Sequence, residues 1–411
     1  MKKFIYSLMA AVMTCLVSCS DLGEVSQYYP LNVAINLPGD KKIDEITSGS
    51  ITVTNTQTGR EFKFENIEAA YGFNVPGGIY DIQVQFRSNN GTETSMFNGA
   101  KLSQPIFDDT KVAIDLEQGV TSGLVFKEIY YNMVRPNGKT PYMADQFMEV
   151  YNNSDEILYL DNCIIGILEG QQGMLPSVWV DENGELLNKY PMGYYTIAFV
   201  GDGKQHPINP GQSVVIASQA QDHTAITEKM YVEGAAGAKI SPVNLTNANY
   251  EVCLTEYKPN VAIDNPLVPN MDIIDAYSKQ NYFMVPYVGN AVILAKLPCD
   301  PYEFVADKTN YMAKPGSSSG APYLMIPQEY VLDGVNIVNN ADKENQQVIR
   351  LRSEVDAGKV FNQAAYCGLS IRRKVVSIEN GRAILSDTNN STNDFLRNQI
   401  PTPGVIPTTV D

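Results

Sequence analysis

Histidine is almost missing: His206 and His223 are the two in 411 residues. Neither belongs to an HExxH-type pair, and each flanks a turn residue, Pro207 or Asp222. Both therefore read as solvent-exposed side chains rather than metal ligands or a catalytic base. The G-x-S-x-G stretch Gly316-Ser317-Ser318-Ser319-Gly320 has no histidine after it. It also lacks the buried strand before and the helix after that a nucleophile elbow needs, so it reads as a loop of small residues. No glycine-rich cradle for phosphate stands at a strand-to-helix junction. Basic residues are in deficit, 30 Lys and Arg against 46 Asp and Glu, for a formal charge of −16. Such a surface gains nothing from a polyanion, which excludes nucleic acid as an expected partner. It equally disfavours electrostatic adhesion to anionic lipid. Past the first twenty residues no run reaches the length of a membrane-spanning helix.

Those first residues, MKKFIYSLMAAVMTCLVSCS, combine Lys2 and Lys3 with an apolar run of about a dozen residues, the layout of a secretory signal. The run ends in Leu16-Val17-Ser18-Cys19. This resembles a bacterial lipoprotein signal: residues 1–18 are expected to be removed and Cys19 to carry the lipid. Several acyl chains anchor stably where one is marginal. The mature second residue is Ser20, and Asp21 and Glu24 follow in a tether of residues 19–29. The resemblance implies an outer-membrane lipoprotein exposed at the cell surface, its partner the membrane lipid through acylated Cys19.

Four cysteines remain, Cys163, Cys253, Cys299 and Cys367, each tens of residues from the next. That is not the spacing of a metal knuckle. In an exported chain they can form disulfides, with three connectivities open, or sit buried as small apolar residues. Asp181-Glu182-Asn183-Gly184-Glu185 lacks the alternating ligands of a calcium loop and reads as a hairpin turn. Neither a metal nor a cofactor is expected. Trp179, the single tryptophan, precedes that turn. It is a candidate ligand contact at a loop tip, or else an apolar cap on a sheet edge.

Residues 30–119 consist of short alternating segments bounded by Gly, Asn, Pro or Asp. Tyr80, Ile82, Val84 and Phe86 share one face of a strand, and Asp81, Gln83 and Gln85 the other, which predicts one buried side. Thr56-Gln57-Thr58-Gly59 and Pro76-Gly77-Gly78 read as turns. The order VTNTQTG then FNVPGGIYDIQVQ resembles transthyretin-like or carboxypeptidase-regulatory-like domains, which implies a small non-catalytic spacer sandwich.

The rest, residues 120–406, opens with VFKEIYYN at 125–132 and DQFMEVYNN at 145–153, followed by strand-like Ile157 to Gly166. Further along lie Ile208-Asn209-Pro210-Gly211, feeding Ser213 to Ala217, then Ser370-Ile371-Arg372-Arg373-Lys374, SDTNNSTNDF and Pro401-Thr402-Pro403-Gly404. These motifs, in this order, resemble the lamin-tail domain, an immunoglobulin-like β-sandwich. The arrangement as a whole resembles uncharacterised surface lipoproteins of Gram-negative anaerobes, a family that lends no catalytic residues. Residues of about 255–365 exceed that domain and are expected as an insertion or added layer, with one short helix between Glu344 and Val355. Residues 407–411 are left as a tail.

The expected protein is all-β: two tandem sandwiches held at a membrane, with no catalytic set. Its expected work is non-catalytic binding, in uptake or adhesion, of an outer-membrane receptor or a glycan. Two other classes stay open: a carboxylate-dependent hydrolase of surface glycans, which needs no recognisable motif, and a structural surface component.

Overall fold

The computed structural model describes residues 27–38, 46–65, 70–89, 94–118, 122–170, 177–232, 239–286, 289–338 and 349–411. The expected leader, Cys19 and residues 344–348 of the expected helix lie outside them; the described rest of that helix is helical only from Ser353, in a short turn Ser353–Asp356. The protein is an all-β fold of two sandwiches.

The first is built from β1 (Tyr28–Asn36), β2 (Ile46–Asn55), β3 (Glu61–Glu65), β4 (Ala70–Pro76), β5 (Gly78–Asn89), β6 (Thr94–Ile106), β7 (Thr110–Asp115) and β8 (Glu117–Gln118). One sheet has the order β4-β1-β7 and the other β3-β2-β5-β6-β8. Leu31, Val33 and Ile35 of β1 meet Ile51, Val53, Ile82, Val84 and Phe86 across the gap. Each such side chain contributes about 1.5–3 kcal/mol by leaving water. The β2–β3 turn closes because the Asn55 side chain accepts the Gln57 and Thr58 amides at 3.1 and 2.9 Å. Gly59 then takes φ +69°, which few other residues tolerate.

The second sandwich begins with β9 (Leu124–Tyr130), β10 (Phe147–Asn152), β11 (Leu158–Tyr159), β12 (Cys163–Leu168), β13 (Lys189–Ala198), β14 (Pro207–Ile208) and β15 (Ser213–Ala217). Then come α1 (His223–Val232), β16 (Tyr250–Glu251), β17 (Asp272–Ala276), β18 (Gly289–Lys296), α2 (Pro301–Ala306), β19 (Tyr311–Met312), β20 (Tyr323–Pro327), β21 (Val331–Val338) and α3 (Ser353–Asp356). It ends with β22 (Ser370–Arg373), β23 (Val375–Glu379), β24 (Arg382–Leu385), α4 (Ser391–Asp394) and β25 (Phe395–Gln399). One sheet runs β16-β15-β10-β9-β22-β25 and the other β19-β20-β13-β12-β18-β21, with β17 paired to the far half of β13.

The stretch 255–365 is no appendage. It supplies β17, β18 and β21, and β18 lies hydrogen-bonded between β12 and β21 inside the second sheet. Val292 and Leu294 of β18 face the core between the sheets, while Ala291, Ile293 and Ala295 face a second core under Phe304, Leu351 and Val355. Both faces are covered, so the strand reads as an unbroken apolar run with no alternation.

Charged residues lie deep in the first sheet. The register of β9 against β10 slips by one, leaving Lys127 as the extra residue. Phe126 and Ile129 therefore both reach the core, and Lys127 and Glu128 both turn outward. There the chain end crosses over them: the Lys127 ammonium bonds Glu149 at 2.7 Å and donates to the Val405 carbonyl at 2.8 Å. Glu128 accepts from Ser370 and from Thr402, and Glu149 from Ser213 and Gly404. The tail itself is pinned where Arg372 grips Asp411 at 2.7 and 3.1 Å.

The sandwiches meet along β5 and β6. Gln83 donates to the Ala357 carbonyl at 2.5 Å, and Gln85 and Asn98 both donate to the Thr388 carbonyl at 3.0 Å. Asp81 pairs with Lys359. The polar face of β5, expected in water, is thus covered by the second sandwich. Its polarity serves a hydrogen-bonded joint instead of a solvated surface.

Candidate functional site

Trp179 is 3% exposed and presents no loop-tip face to a ligand. Its indole donates to Glu169 at 3.0 Å and stands edge-on to Tyr323, ring centres 5.2 Å apart. A large apolar ring beside a sheet edge is held by burial, and here it caps β20 with Leu187, Met312 and Met325. The four cysteines are all free, Cys163 and Cys367 buried and Cys253 and Cys299 partly exposed. Cys163 sits inside β12, where burial pushes its thiol up to about 12. No pair of them is joined in this structure; Cys163 and Cys367 sit as buried thiols, whereas Cys253 and Cys299 do not.

The histidines also depart from expectation. His223 is fully buried; one ring nitrogen faces the Gln219 carbonyl at 2.9 Å and the other the Tyr142 hydroxyl at 2.8 Å. The carbonyl can only accept, so Nε2 carries the proton and Nδ1 receives the phenol. Burial pushes this imidazole down to about 4. His206 is half-buried between Tyr250 and the Val200 carbonyl. The Asp181 turn and the Gly316–Gly320 loop are the exposed turns their sequences suggested: Asp181 accepts the Asn183 and Glu185 amides. Among the described residues no group of three or more His, Cys, Asp or Glu is placed to hold a metal. Glu128 and Glu149 face each other across β9 and β10, but their oxygens are taken up by the chain donors named above.

A cluster of tyrosines and carboxylates lies beside the tryptophan cap. Tyr323 stacks on Tyr277 at 3.7 Å, and Tyr277 follows directly on β17. Along β17 two carboxylates each take a phenol: Tyr302 donates to Asp272 at 2.8 Å and Tyr311 to Asp275 at 3.2 Å. Tyr257 lies close enough to interact electrostatically with both Asp275 and Tyr302. Tyr302 is half exposed on α2, which Asp300 caps by accepting the Tyr302 amide. Desolvation raises Asp275 above its ordinary range, and burial beside Asp272 pushes Tyr302 up to about 12. Two ammonium groups rest over rings of this cluster, Lys279 on Tyr257 at 5.3 Å and Lys308 on Tyr311 at 4.7 Å. Chemically the cluster combines aromatic rings with fixed carboxylate acceptors and phenol donors.

The sequence analysis did not single out Tyr257, Tyr277, Tyr302 or Tyr311. The available signal was the pair of acids spaced along MDIIDAY, ahead of a tyrosine.

Residues 209–402 match a family of proteins of unknown function, DUF4876. None of the curated proteins matches the chain. The crystal structure of a DUF4876 family protein from Bacteroides thetaiotaomicron is similar over 93% of this chain and 99% of that one, at 25% identity and a TM-score of 0.58. So wide a coverage takes in both sandwiches. The DUF4876 match begins at the turn before β15 and runs through β25, so it includes the stretch 255–365 that builds the second sheet.

Proposed function

We propose that this protein is a lipid-anchored, non-catalytic recognition protein of the outer membrane, displayed at the cell surface. Cys19 carries the acyl chains, the first sandwich is a transthyretin-like spacer, and the second is a lamin-tail-like domain that presents the ligand face. The ligand class the face suits best is a glycan, met in nutrient uptake or adhesion. The observation that supports this is the row of Tyr257, Tyr302, Tyr311 and Tyr277 interleaved with Asp272 and Asp275. Sugar rings stack their C–H faces on aromatics, and their hydroxyls pair with fixed carboxylates and phenols.

Affinity electrophoresis through gels containing neutral polysaccharides tests it. Retardation is expected for at least one polysaccharide, with loss in Tyr302→Ala and in Asp275→Asn. Equal mobility in every gel, or retardation that both variants keep, counts against the face. The anchor is tested separately: Cys19→Ala is expected to move the protein from membrane to soluble fractions, and continued sedimentation with membranes refutes it.

A further inference from the structure

We propose that β4 is a self-pairing edge, through which two copies of this chain join into one continuous sheet. β4 ends the order β4-β1-β7, and among the described residues it pairs with β1 alone. Which backbone groups it leaves free follows from one residue. Asn74 stands opposite Pro30, which has no N–H, so that pair cannot exchange two hydrogen bonds. Bonded pairs alternate along an antiparallel ladder, which assigns the bonds to Tyr29–Val75, Leu31–Phe73 and Val33–Tyr71. The Gly77 amide, bonded to the Gln27 carbonyl at 2.9 Å, continues the same alternation. The N–H and C=O groups of Ala70, Gly72 and Asn74 therefore point out of the sheet edge.

Native edges are usually guarded by charge. The edge of the facing sheet obeys this: β3 exposes Glu61, Lys63 and Glu65. The exposed residues of β4 are Ala70, Gly72 and Asn74, with no charge among them. In a chain of net charge −16, a neutral edge is a place where two copies meet without repulsion. On the inner side Tyr71 and Phe73 are only half covered, Phe73 lying 4.1 Å from Phe64 by ring centres. A neighbouring strand would bury what they still expose.

These features select a second copy as the occupant. Laid antiparallel to itself about a two-fold axis at Gly72, β4 sets Ala70 against Asn74 of the other copy. Each copy gives the same donors and acceptors, and the contact closes on itself instead of propagating. The product is a six-stranded sheet, β7-β1-β4 continued by β4-β1-β7 of the partner.

Sedimentation velocity of the full chain over a dilution series reads this out. A dimer is expected for the native chain, and its loss in the double variant Ala70→Lys, Asn74→Lys. Both positions are exposed, so the variant should keep the thermal midpoint that the native chain shows at dilutions where it is monomeric. As a second reading, Gly72→Cys is expected to give a disulfide-linked dimer on mild oxidation; its new side chain displaces only the flexible end of Asn32. The native chain controls for its own thiols, and Lys63→Cys on the guarded edge should not cross-link. A native monomer at every concentration overturns the proposal. So does a dimer that survives both lysines, which would place the contact elsewhere, and so does heterologous strand capture with no self-association.

Discussion

Lys359 reaches out of the second sandwich and closes a 2.5 Å ion pair with Asp81 of the first. Asp81 is 2% exposed; its other oxygen accepts the Ser103 amide at 2.9 Å, and Lys359 brings the counter-charge. Lys359→Met should destabilise the protein by about 3–5 kcal/mol, the usual cost of stranding a buried charge. Adding Asp81→Asn should recover much of the loss, since an amide needs no counter-charge. Denaturant unfolding of the two singles and the double makes the check. Additive losses would show that the residues do not act as a pair.

Two buried carboxyls, Asp145 and Asp356, are each pushed up to about 7 by desolvation. A folded chain then keeps protons that the unfolded chain has already released above the ordinary range near 3.8. Stability contributed by these groups is therefore lost as pH rises from about 4 to about 7. His223, held neutral, acts oppositely: its contribution is lost as pH falls from 6.5 toward 4. Asp145 isolates the first effect, because it is fully buried and accepts from a neutral donor, the Tyr130 phenol, at 2.9 Å. Asp145→Asn should raise stability at pH 8 by on the order of 2–4 kcal/mol and change little at pH 4. Thermal melts at the two pH values decide it; an equal shift at both would exclude titration as the cause.

The lone tryptophan gives a direct optical test of burial. Trp179 in its cluster should emit at short wavelength, resist acrylamide, and shift red on unfolding. Red emission or easy quenching in the native state would place the indole in water. Tyr323→Ala should loosen the cap and move native emission partway to the unfolded value.

Thiol labelling separates the cysteines by accessibility. Without reductant, Cys253 and Cys299 should alkylate in the native protein, and Cys163 and Cys367 only after unfolding. Mass spectrometry of digests reads the four sites. A site that labels only after reduction would reveal a disulfide.

Much of the first sandwich was legible because its strands bury one face against one core. Tyr80 to Phe86 alternates as read, and the turns at Gly59 and Pro76-Gly77-Gly78 fall where their chemistry puts them. In the second sandwich the motif strands β9, β10, β15 and β22 were visible, but the sheet that pairs β12 with β18 was not. Strands covered on both sides carry no period to read, and a one-residue bulge at Lys127 breaks the period where two charges enter the interior. α1 was missed because its buried residues are His223 and Thr227, polar positions that make no apolar stripe. The proposed ligand face escaped for another reason: its acids lie on β17, its tyrosines come from the residue after β17, from α2, from β19 and from the loop at Tyr257, and only folding gathers them.

β9 illustrates what this topology demands of synthesis. Its residues, Leu124–Tyr130, are bonded on one side to β10 but on the other to β22, at Ser370–Arg373. One flank of that strand stays open until nearly the whole polypeptide has emerged. Ladders between such distant segments close slowly, and a nascent chain with an unsatisfied flank is prone to stick to its neighbours. A ribosome stalled before residue 370 therefore leaves a complete first sandwich joined to an unfinished second one whose open strand flank invites aggregation.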